Sequence, residues 1–255
     1  MVNKYRLERI ARLLLFPSVF LLTILKIIKI QVGPMIGRQT RKQLMLDMKY
    51  LCNKHSVIPR GVIHIGAHEG REINLYREMG IKNIFFIEAN PVVFDKMKEN
   101  IKDNSNILSA NCAITNSDGK TTLYVTSNDL SSSILPLKYH KQIYPSIVET
   151  HQVIVPSKTL DSLLQEEQLE PSDFNIINID IQGAELIAFQ GAINTLKYIE
   201  AINTEVNYRE LYEGCAIIYQ IDEFLEMHGF KRVATTTPFH PSWGDAFYVK
   251  KKAVS

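Results

Sequence analysis

The stretch Ile63-His64-Ile65-Gly66-Ala67-His68-Glu69-Gly70 predicts a buried strand that ends in a glycine turn and opens a helix. The short apolar run over 62–65 suits the middle of a parallel sheet, where strands are buried on both faces. Gly66 allows a sharp backbone bend and the close approach of a ligand, because it has no side chain. Free N–H groups at the start of the following helix favour a carboxylate or phosphate. We therefore expect a nucleotide-like cofactor at this turn.

The next predicted strand covers 83–87 and is followed by Glu88. A carboxylate at this position can accept hydrogen bonds from the ribose hydroxyls of an adenosine. The spacing Gly66-x-x-x-Gly70 lacks the third glycine of the dinucleotide fingerprint G-x-G-x-x-G. It resembles the first motif of S-adenosylmethionine (SAM) methyltransferases. Because Glu88 suits NAD and SAM equally well, it predicts the nucleoside and leaves the chemistry open.

Alternating strands and helices from Gly61 onward predict an α/β domain built on a parallel sheet. The predicted strands cover 62–65, 83–87, 107–110, 174–179 and 201–206. The predicted helices cover 71–79, 91–101, 159–168 and 216–228. Two last strands over 231–234 and 246–250, joined by a loop over 235–245, predict an antiparallel finish to the sheet.

Residues 111–158 predict an insertion into this alternation. We expect 111–114 to form a loop beside the adenine. The turn over 116–119 and the β-rich segment over 121–126 predict a hairpin-like element, and 153–155 predicts another strand. The polar segment over 127–133 suits either an active-site loop or a solvated surface loop.

Taken together, these motifs resemble the FkbM-type methyltransferases, a family of SAM-dependent O-methyltransferases that often act on sugar hydroxyls. The matching stretches occur in the expected order within about residues 60–250: 63–70, Phe86 to Pro91, Asp180 to Leu186 with Gly191, Glu205-Val206, and Trp243 to Phe247. The resemblance implies a Rossmann-like class I methyltransferase fold. Such a fold has a mostly parallel seven-stranded sheet with an antiparallel C-terminal strand. His64, His68 and Gln182 depart from residues common in the family, and Gln182 replaces a Glu.

The resemblance also implies SAM as the cofactor. We expect it to be bound by residues in the first strand and its turn, after the next two strands, and at the end of the strand over 174–179. These are His64, Gly66, Ala67, His68, Glu69, Gly70, Glu88, Ala89, Asn90, Ala113, Ile114 and Asp180.

Methyl transfer to an alcohol requires a base that removes the hydroxyl proton, or a metal. Ligands of open α/β sheets bind beyond the carboxyl ends of the strands, so Asp180 is the first candidate for a general base or metal ligand. Its structural alternative is a helix cap. We expect Glu205 to orient the substrate or to join Asp180 at a metal. Asp245 and His240 are further catalytic candidates, although a histidine beside proline is more often a surface residue. A divalent metal is left open.

The composition predicts a globular protein with a full core, because 45% of its 255 residues are hydrophobic and 22% are charged. Residues 1–60 contain 12 Lys/Arg against 2 Asp/Glu, whereas residues 61–255 contain 17 against 25. We expect a basic hydrophobic segment over 1–38, an amphipathic lead-in helix within 39–60 (its pattern spans 39–53), and an FkbM-like domain over 61–255. Three widely spaced cysteines predict neither a disulfide framework nor a zinc site, which suits a reduced cytoplasmic setting.

The N-terminal segment contains an uncharged run of 13 residues from Leu13 to Leu25. This run is shorter than the roughly 20 residues that span a bilayer, and Pro17 would kink a helix there. No small-x-small cleavage site follows, so we set secretion aside. Residues 1–30 suit either a segment lying on an anionic membrane face or a helix packed on the domain or on a second subunit.

The leading hypothesis is a SAM-dependent O-methyltransferase that modifies a sugar hydroxyl in a glycan, glycolipid or polysaccharide. We expect it in the cytoplasm or on the inner face of a membrane, with no nucleic-acid partner. A membrane-tethered scaffold that has lost activity is one alternative, and the departures at His68 and Gln182 keep it open. A nucleotide-dependent oxidoreductase is the other, weakened by the missing third glycine. The fold does not specify the acceptor, because this scaffold hosts many substrates.

Overall fold

The computed structural model describes residues 45–251 except 103, 105 and 106. The predicted segment over 1–38 and the membrane-facing segment over 1–30 lie outside the described residues. Within the described part, no helix combines the length and apolar character needed to cross a bilayer.

The described chain alternates strands and helices as predicted. Its strands are β1 (Gly61–Ile65), β2 (Asn83–Ile87), β3 (Ile107–Ala110), β4 (Ala113–Ile114), β5 (Gly119–Thr126), β6 (Glu149–Lys158), β7 (Ile176–Ile179), β8 (Ala201–Asn207), β9 (Phe230–His240) and β10 (Trp243–Lys250). Its α-helices are α1 (Met48–Lys54), α2 (Ile73–Glu78), α3 (Pro91–Ile101), α4 (His140–Ile143), α5 (Leu160–Glu166), α6 (Glu185–Gln190) and α7 (Ile218–Met227).

The main sheet has seven strands in the order β3-β2-β1-β7-β8-β10-β9. Neighbouring strands from β3 to β8 pair in parallel, and β10 is antiparallel to both β8 and β9. Every residue of β1 and β7 is buried, as expected for central strands covered on both faces. The predicted fold class, including the antiparallel C-terminal strand, is confirmed.

Alternate residues of the central strands pack into two cores, one on each face of the sheet. Ile63 and Ile177 belong to the core shared with helices α5, α6 and α7. Val62 and Phe86 belong to the opposite core, which helices α1, α2 and α3 cover. The carboxyl ends of the parallel strands emerge between these two layers, which leaves a crevice for ligands.

Three helices begin where a polar side chain caps the free backbone N–H groups. Asp47 accepts from the backbone of Tyr50 at the start of α1, Asn90 caps α3 just before Pro91, and Thr159 caps α5. The prediction of a helix over 39–53 is wrong for 45–47, because the Asp47 cap begins α1 at Met48.

The insertion forms a separate three-stranded sheet in the order β4-β6-β5. The predicted loop at 113–114 is a short strand that pairs in parallel with the end of β6. The predicted hairpin partner of β5 is not nearby in sequence, because β5 pairs antiparallel with β6 across residues 127–148. This arrangement places the polar segment over 127–133 between two paired strands.

The predicted connecting loop over 235–245 is wrong. Strand β9 continues to His240 and β10 begins at Trp243, so only Pro241 and Ser242 connect them. The run Thr235-Thr236-Thr237 is β-branched and suits an extended edge strand. Pro238 is tolerated there because β9 is the last strand of the sheet.

Candidate active site

One row of the main sheet collects acidic residues and a glycine at the carboxyl ends of its parallel strands and near the start of the antiparallel strand β10. The register pairs Ile65 with Ile87 on one side and with Ile179 on the other. Glu88, Gly66 and Asp180 each follow directly after these residues. Farther along, Ile179 pairs with Thr204 and Glu205 pairs with Asp245. The row therefore reads Glu88, Gly66, Asp180, Glu205 and Asp245 across five strands.

Gly66 makes the turn after β1 possible. Its φ is +80°, and a Cβ added there would lie 2.0 Å from the backbone oxygen of Asp180. The backbone N–H groups of Gly66 and Ala67 both donate to the carbonyl oxygen of Ile87, at 2.9 and 3.0 Å. Any side chain at position 66 would push the β1 turn away from the end of β7.

Glu88 is held ready to bind hydroxyl groups. Its Oε2 accepts from the backbone N–H of His68 at 2.9 Å, and its Oε1 accepts from that of Asn90 at 2.8 Å. Burial raises the pKa of Glu88, and these backbone hydrogen bonds oppose that rise. Each oxygen retains a lone pair for a further donor. This geometry fits the two hydroxyls of a ribose.

Glu88 lines a cleft that encloses about 690 Å³ of empty space, part of it open to solvent. The main sheet supplies one wall, and the insertion supplies the other. The apolar side chains of the cleft are Ile65, Ile87, Ala89, Ala113, Ile114, Leu123, Leu130, Ile134, Ile181 and Ala184, with Cys112 beside them. Such a wall suits an adenine ring, so the residues present fit an adenosine cofactor.

The segment over 127–133 borders this cleft through Asp129, Leu130, Ser132 and Ser133. His68 connects the segment to the β1 turn, because its Nε2 lies 3.3 Å from Oδ1 of Asp129. The backbone of His68 has a φ of +48°, an unusual value for a residue with a side chain. The structure thus favours the active-site interpretation of this loop over the solvated one.

Eight of the twelve predicted cofactor residues line the cleft: Gly66, His68, Glu88, Ala89, Asn90, Ala113, Ile114 and Asp180. The sequence-based prediction and the geometry therefore agree on the turn after β1, the end of β2 and the start of β4. The roles of these residues in cofactor binding stay predictions.

His64, Ala67, Glu69 and Gly70 do not line the cleft. Ala67 is 1% exposed and packs in the core on the α1–α3 side. Gly70 packs against α3, where an added Cβ would lie 3.3 Å from Cγ of Met97. Glu69 turns outward to form an ion pair with Arg71 at 2.7 Å.

His64 lies in a buried polar network beneath the cleft. Its Nδ1 is 3.0 Å from the hydroxyl of Tyr76, and its Nε2 is 3.2 Å from the amide nitrogen of Asn178. The Asn178 amide also donates to Tyr76 at 2.8 Å and accepts from Asn203 at 2.8 Å. Burial lowers the pKa of His64 to about 3, so the imidazole is neutral.

Asp180, Glu185 and Glu205 bring carboxylate oxygens within 4.8 Å of one another. Gln182 joins two of them, because its Nε2 donates to Asp180 Oδ1 at 2.6 Å and to Glu205 Oε2 at 2.8 Å. The hydroxyl of Tyr212 donates to Oε1 of Gln182 at 2.6 Å. Tyr212 therefore fixes the orientation of the amide that holds the two acids.

The pKa values of these acids are raised. Asp180 faces the cleft, but the surrounding protein still raises its pKa, and hydrogen bonds from Gln182 and Glu205 oppose this. Burial and the charge of Asp180 raise the pKa of Glu205 well above its usual range. Burial, and then Asp180, raise the pKa of Asp245 to about 7. Two neighbouring carboxyls that cannot both ionise hold a shared proton, which leaves one of them able to act as a base.

Glu185 belongs to the same cluster but is 1% exposed. Its Oε1 accepts from the backbone N–H groups of Ile181 and Gly183, at 3.0 and 3.1 Å. Burial raises its pKa to about 7. These contacts shape the turn before α6, so Glu185 supports the site rather than facing the cleft.

The three carboxylates have the donor chemistry of a cation site, since oxygen ligands suit Mg²⁺ and Ca²⁺. In this structure, however, the amide hydrogens of Gln182 point at Asp180 and Glu205. The amide thereby supplies the positive end of a dipole where a cation would bind. The arrangement favours Asp180 as a base over Asp180 as a metal ligand.

His240 lies at the tip of the β9–β10 hairpin. Its contacts are with residues of the hairpin and not with the carboxylate cluster. Its register partner is Trp243, and its Nδ1 accepts from the backbone N–H of Ser242 at 3.1 Å. Asp245, on the same hairpin, pairs with Glu205 and so belongs to the row of acidic residues. The structure therefore brings together three of the four predicted catalytic residues.

The sequence analysis did not single out Tyr212 or Ile134, and it included Ser133 and Leu130 only as members of the segment over 127–133. Tyr212 and Ser133 contact Gln182, with the Ser133 hydroxyl donating to its backbone oxygen at 2.9 Å. Leu130 and Ile134 cover the cleft. Gln182 could be found from the sequence because it lies two residues after Asp180. No pattern in the sequence marks Tyr212.

Comparison with known proteins places this site in a family. The methyltransferase FkbM domain matches residues 64–232, the part of the chain that contains the cleft and the carboxylate pair. The chain belongs to the FkbM methyltransferase family.

The chain is similar to a named methyltransferase and to a solved structure. The 2-O-methyltransferase NoeI of Sinorhizobium fredii (strain NBRC 101917 / NGR234) is 27% identical over 161 residues, which cover 60% of this chain and 65% of NoeI. The crystal structure of methyltransferase FkbM from Methylobacillus flagellatus KT aligns with a TM-score of 0.50 at 12% identity. That alignment covers 86% of this chain and 59% of the other, and it supports the fold. This chain thus spans under two thirds of either relative's length.

Proposed function

We propose that this protein is a SAM-dependent O-methyltransferase. The observation that supports it best is one row of the sheet that carries both a ribose-binding acid, Glu88, and an amide-bridged acid pair, Asp180 and Glu205. The first suits a nucleoside, and the second suits removal of a proton from an alcohol. Membership of the FkbM methyltransferase family supports the same reaction.

When bound, SAM supplies an electrophilic methyl group. Glu88 would bind its ribose, the apolar wall around Ala113 would bind its adenine, and the Gly66 turn would accommodate its amino-acid end. Asp180 faces the cleft and accepts the acceptor hydroxyl's proton. The raised pKa of Glu205 favours its protonated form, which leaves the negative charge on Asp180, and the Gln182 amide holds the two carboxyl groups in place. Leu130 and Ile134 line the same cleft.

We further propose a sugar hydroxyl in a glycan, glycolipid or polysaccharide as the acceptor. NoeI is named a 2-O-methyltransferase, which supports an alcohol oxygen as the methylated atom. The basic segment over 1–30 would hold the enzyme at the inner face of a membrane, close to such acceptors. Its binding to vesicles containing anionic lipid, compared with a chain that starts at residue 39, tests this placement.

Two alternatives make different predictions for ligand binding. A scaffold without activity would bind neither SAM nor an acceptor productively. A nucleotide-dependent oxidoreductase would bind NADH, although the Gly66-x-x-x-Gly70 spacing lacks the third glycine. Neither alternative explains why Gln182 bridges two acids at the end of the same cleft.

Calorimetric titration with SAM and with NADH tests the proposal. We expect the wild-type protein to bind SAM and the Glu88→Ala variant to lose most of this affinity. Val92→Ala, at an exposed residue of α3 near the site, is the matched control and keeps wild-type affinity. Binding of NADH in preference to SAM would support the oxidoreductase, and binding of neither would support the scaffold.

A further inference from the structure

The Gln182 amide has two possible orientations, and the choice between them affects the acids beside it. Its side chain lines the cleft, and its Nε2 donates to Oδ1 of Asp180 and to Oε2 of Glu205. A half-turn about the last side-chain torsion would exchange the amide nitrogen and oxygen. The nitrogen stabilises an ionised carboxylate by donating to it, whereas the oxygen would stabilise a protonated one by accepting from it. The orientation of the amide therefore selects the protonation state of Asp180.

Tyr212 contacts the amide on the side opposite the acids. Its hydroxyl donates to Oε1 of Gln182 at 2.6 Å, at the short end of the range for two oxygen atoms. Burial raises the pKa of Tyr212 above its usual range, so the hydroxyl keeps its proton. A hydrogen bond to the amide oxygen polarises the amide and strengthens the bonds that its N–H groups donate to the two acids. Tyr212 thus favours the orientation in which the nitrogen faces Asp180 and Glu205.

A second acceptor makes the reversed orientation of the amide unfavourable. The Tyr212 hydroxyl also lies 3.3 Å from the backbone oxygen of Ser131, but its single proton forms the shorter bond, to Gln182. If the amide were reversed, the hydroxyl would accept from Nε2 and would have to donate to Ser131 at the longer distance. The reversed state therefore replaces a short hydrogen bond with a long one.

The Tyr212 ring is held in place by its surroundings. It has no exposed surface, and it packs in an apolar cluster with Leu137 and Cys215. A Cβ added to Gly183 would lie 3.1 Å from Cδ2 of Tyr212, so the ring lies directly against the turn that carries Gln182. A ring packed this closely gives its hydroxyl a fixed position, which an orienting donor requires.

We propose that Tyr212 is a positioning residue for proton transfer: its hydroxyl holds the Gln182 amide nitrogen toward Asp180 and Glu205, and this keeps Asp180 able to accept the proton of the acceptor hydroxyl. This inference rests on the proposed function and deepens it. Tyr212 lies outside the lining of the cleft and acts only through Gln182.

Other titratable groups also interact with Asp180, and a substitution at position 212 leaves all of them in the chain. They are His68, Glu72, Glu185, Glu205 and Asp245. A change in the titration of Asp180 that follows the loss of the Tyr212 hydroxyl therefore reports on the amide.

Carbon-13 NMR of the full-length protein, labelled at the aspartate carboxyl carbons, measures this titration without an acceptor. The Asp180 signal is the one that disappears in Asp180→Asn. We expect Tyr212→Phe to raise the apparent midpoint of the Asp180 titration by about half to one pH unit, the shift that corresponds to one hydrogen bond. The substitution keeps the ring and its packing, so a purely structural role for Tyr212 would leave the midpoint unchanged.

Two further variants separate the amide from other effects. Tyr248→Phe is the matched control, because it removes a buried hydroxyl that donates to Asp222 at 2.8 Å, and it should leave the midpoint unchanged. Gln182→Leu removes the amide and should raise the midpoint at least as much as Tyr212→Phe does. Adding Tyr212→Phe to Gln182→Leu should then change the midpoint by less than about 0.3 pH unit. Thermal melting checks that each variant is folded.

The outcomes are distinct from those of the proposed function. An unchanged or lowered midpoint in Tyr212→Phe refutes the positioning role and leaves the methyltransferase proposal standing. If Tyr212→Phe raises the midpoint equally with and without the Gln182 amide, the hydroxyl acts by another route and the proposal is wrong. Calorimetry with SAM tests the proposed function separately, because a wild-type protein that binds no SAM refutes that function whatever the titration shows.

Discussion

Replacing Asp245 by Asn should stabilise the protein without its ligands, and should do so more strongly as the pH rises. Burial and the charge of Asp180 raise the pKa of Asp245 from 3.8 to about 7. A raised pKa means that the folded protein holds this proton more tightly than the unfolded chain does. Proton binding by Asp245 therefore contributes fully to the free energy of unfolding at low pH. This contribution is lost as the pH rises through about 7. An amide has no such titration.

The size of the effect follows from the two pKa values. A difference of about 3 pH units corresponds to about 4 kcal/mol, at about 1.4 kcal/mol for each unit. The stabilisation by Asp245→Asn should grow from about 0.5 kcal/mol at pH 4 to about 4 kcal/mol at pH 8. The partial exposure of Asp245 makes these values upper limits, because solvent screens the charge.

Urea unfolding of both proteins at pH 4, 6 and 8 measures this difference. The control is Asp95→Asn, at an exposed position of α3, which should change the free energy of unfolding by less than about 0.5 kcal/mol at every pH. A stabilisation by Asp245→Asn that is the same at pH 4 and pH 8 would refute the reasoning. It would show that Asp245 is solvated in the folded protein.

Three further changes probe the site. Gly66→Ala should abolish SAM binding and lower the melting temperature, because the added Cβ would lie 2.0 Å from the backbone oxygen of Asp180. Calorimetry measures the binding and thermal melting measures the stability. Unchanged SAM binding would contradict the close approach of the two turns. Gln182→Glu should move the ascending limb of the kcat–pH profile upward by about one pH unit or more, because a further carboxylate between Asp180 and Glu205 raises the pKa of the base. A limb that stays in place contradicts Asp180 as that base. Dialysis against EDTA should leave kcat within about twofold, and a loss that Mg²⁺ or Mn²⁺ reverses would assign the carboxylates to a metal.

The parts of the fold that could be predicted were those with a local signal. The apolar run ending at Gly66 and the one ending at Glu88 predicted two strands of a parallel sheet, and the structure pairs them in parallel. The run of threonines before Pro238 lies in the predicted connecting loop over 235–245, whereas the structure has it in strand β9. Its position on the edge of the sheet, which depends on the whole topology, is what allows it to be extended.

The parts of the site that could not be predicted depend on contacts between distant residues. Tyr212 orients Gln182 across 30 positions of the sequence. Strand β5 finds its partner β6 only after an intervening segment that itself covers the cleft. Asp180 could be placed from the strand that precedes it, but the direction of the Gln182 amide depends on a tyrosine that no local pattern marks.

The buried network of His64, Tyr76 and Asn178 favours one pairing register of strands β1 and β7. His64 on β1 and Asn178 on β7 lie two residues before Gly66 and Asp180. The register that pairs His64 with Asn178 therefore also places Gly66 beside Asp180. A slip of β7 by one residue would turn Asn178 toward the apolar core of α5–α7, away from every group that now satisfies it. The same slip would point Asp180 away from the cleft. The hydrogen bonds of this buried network therefore select one register of β1 and β7. The same register places Asp180 in the cleft.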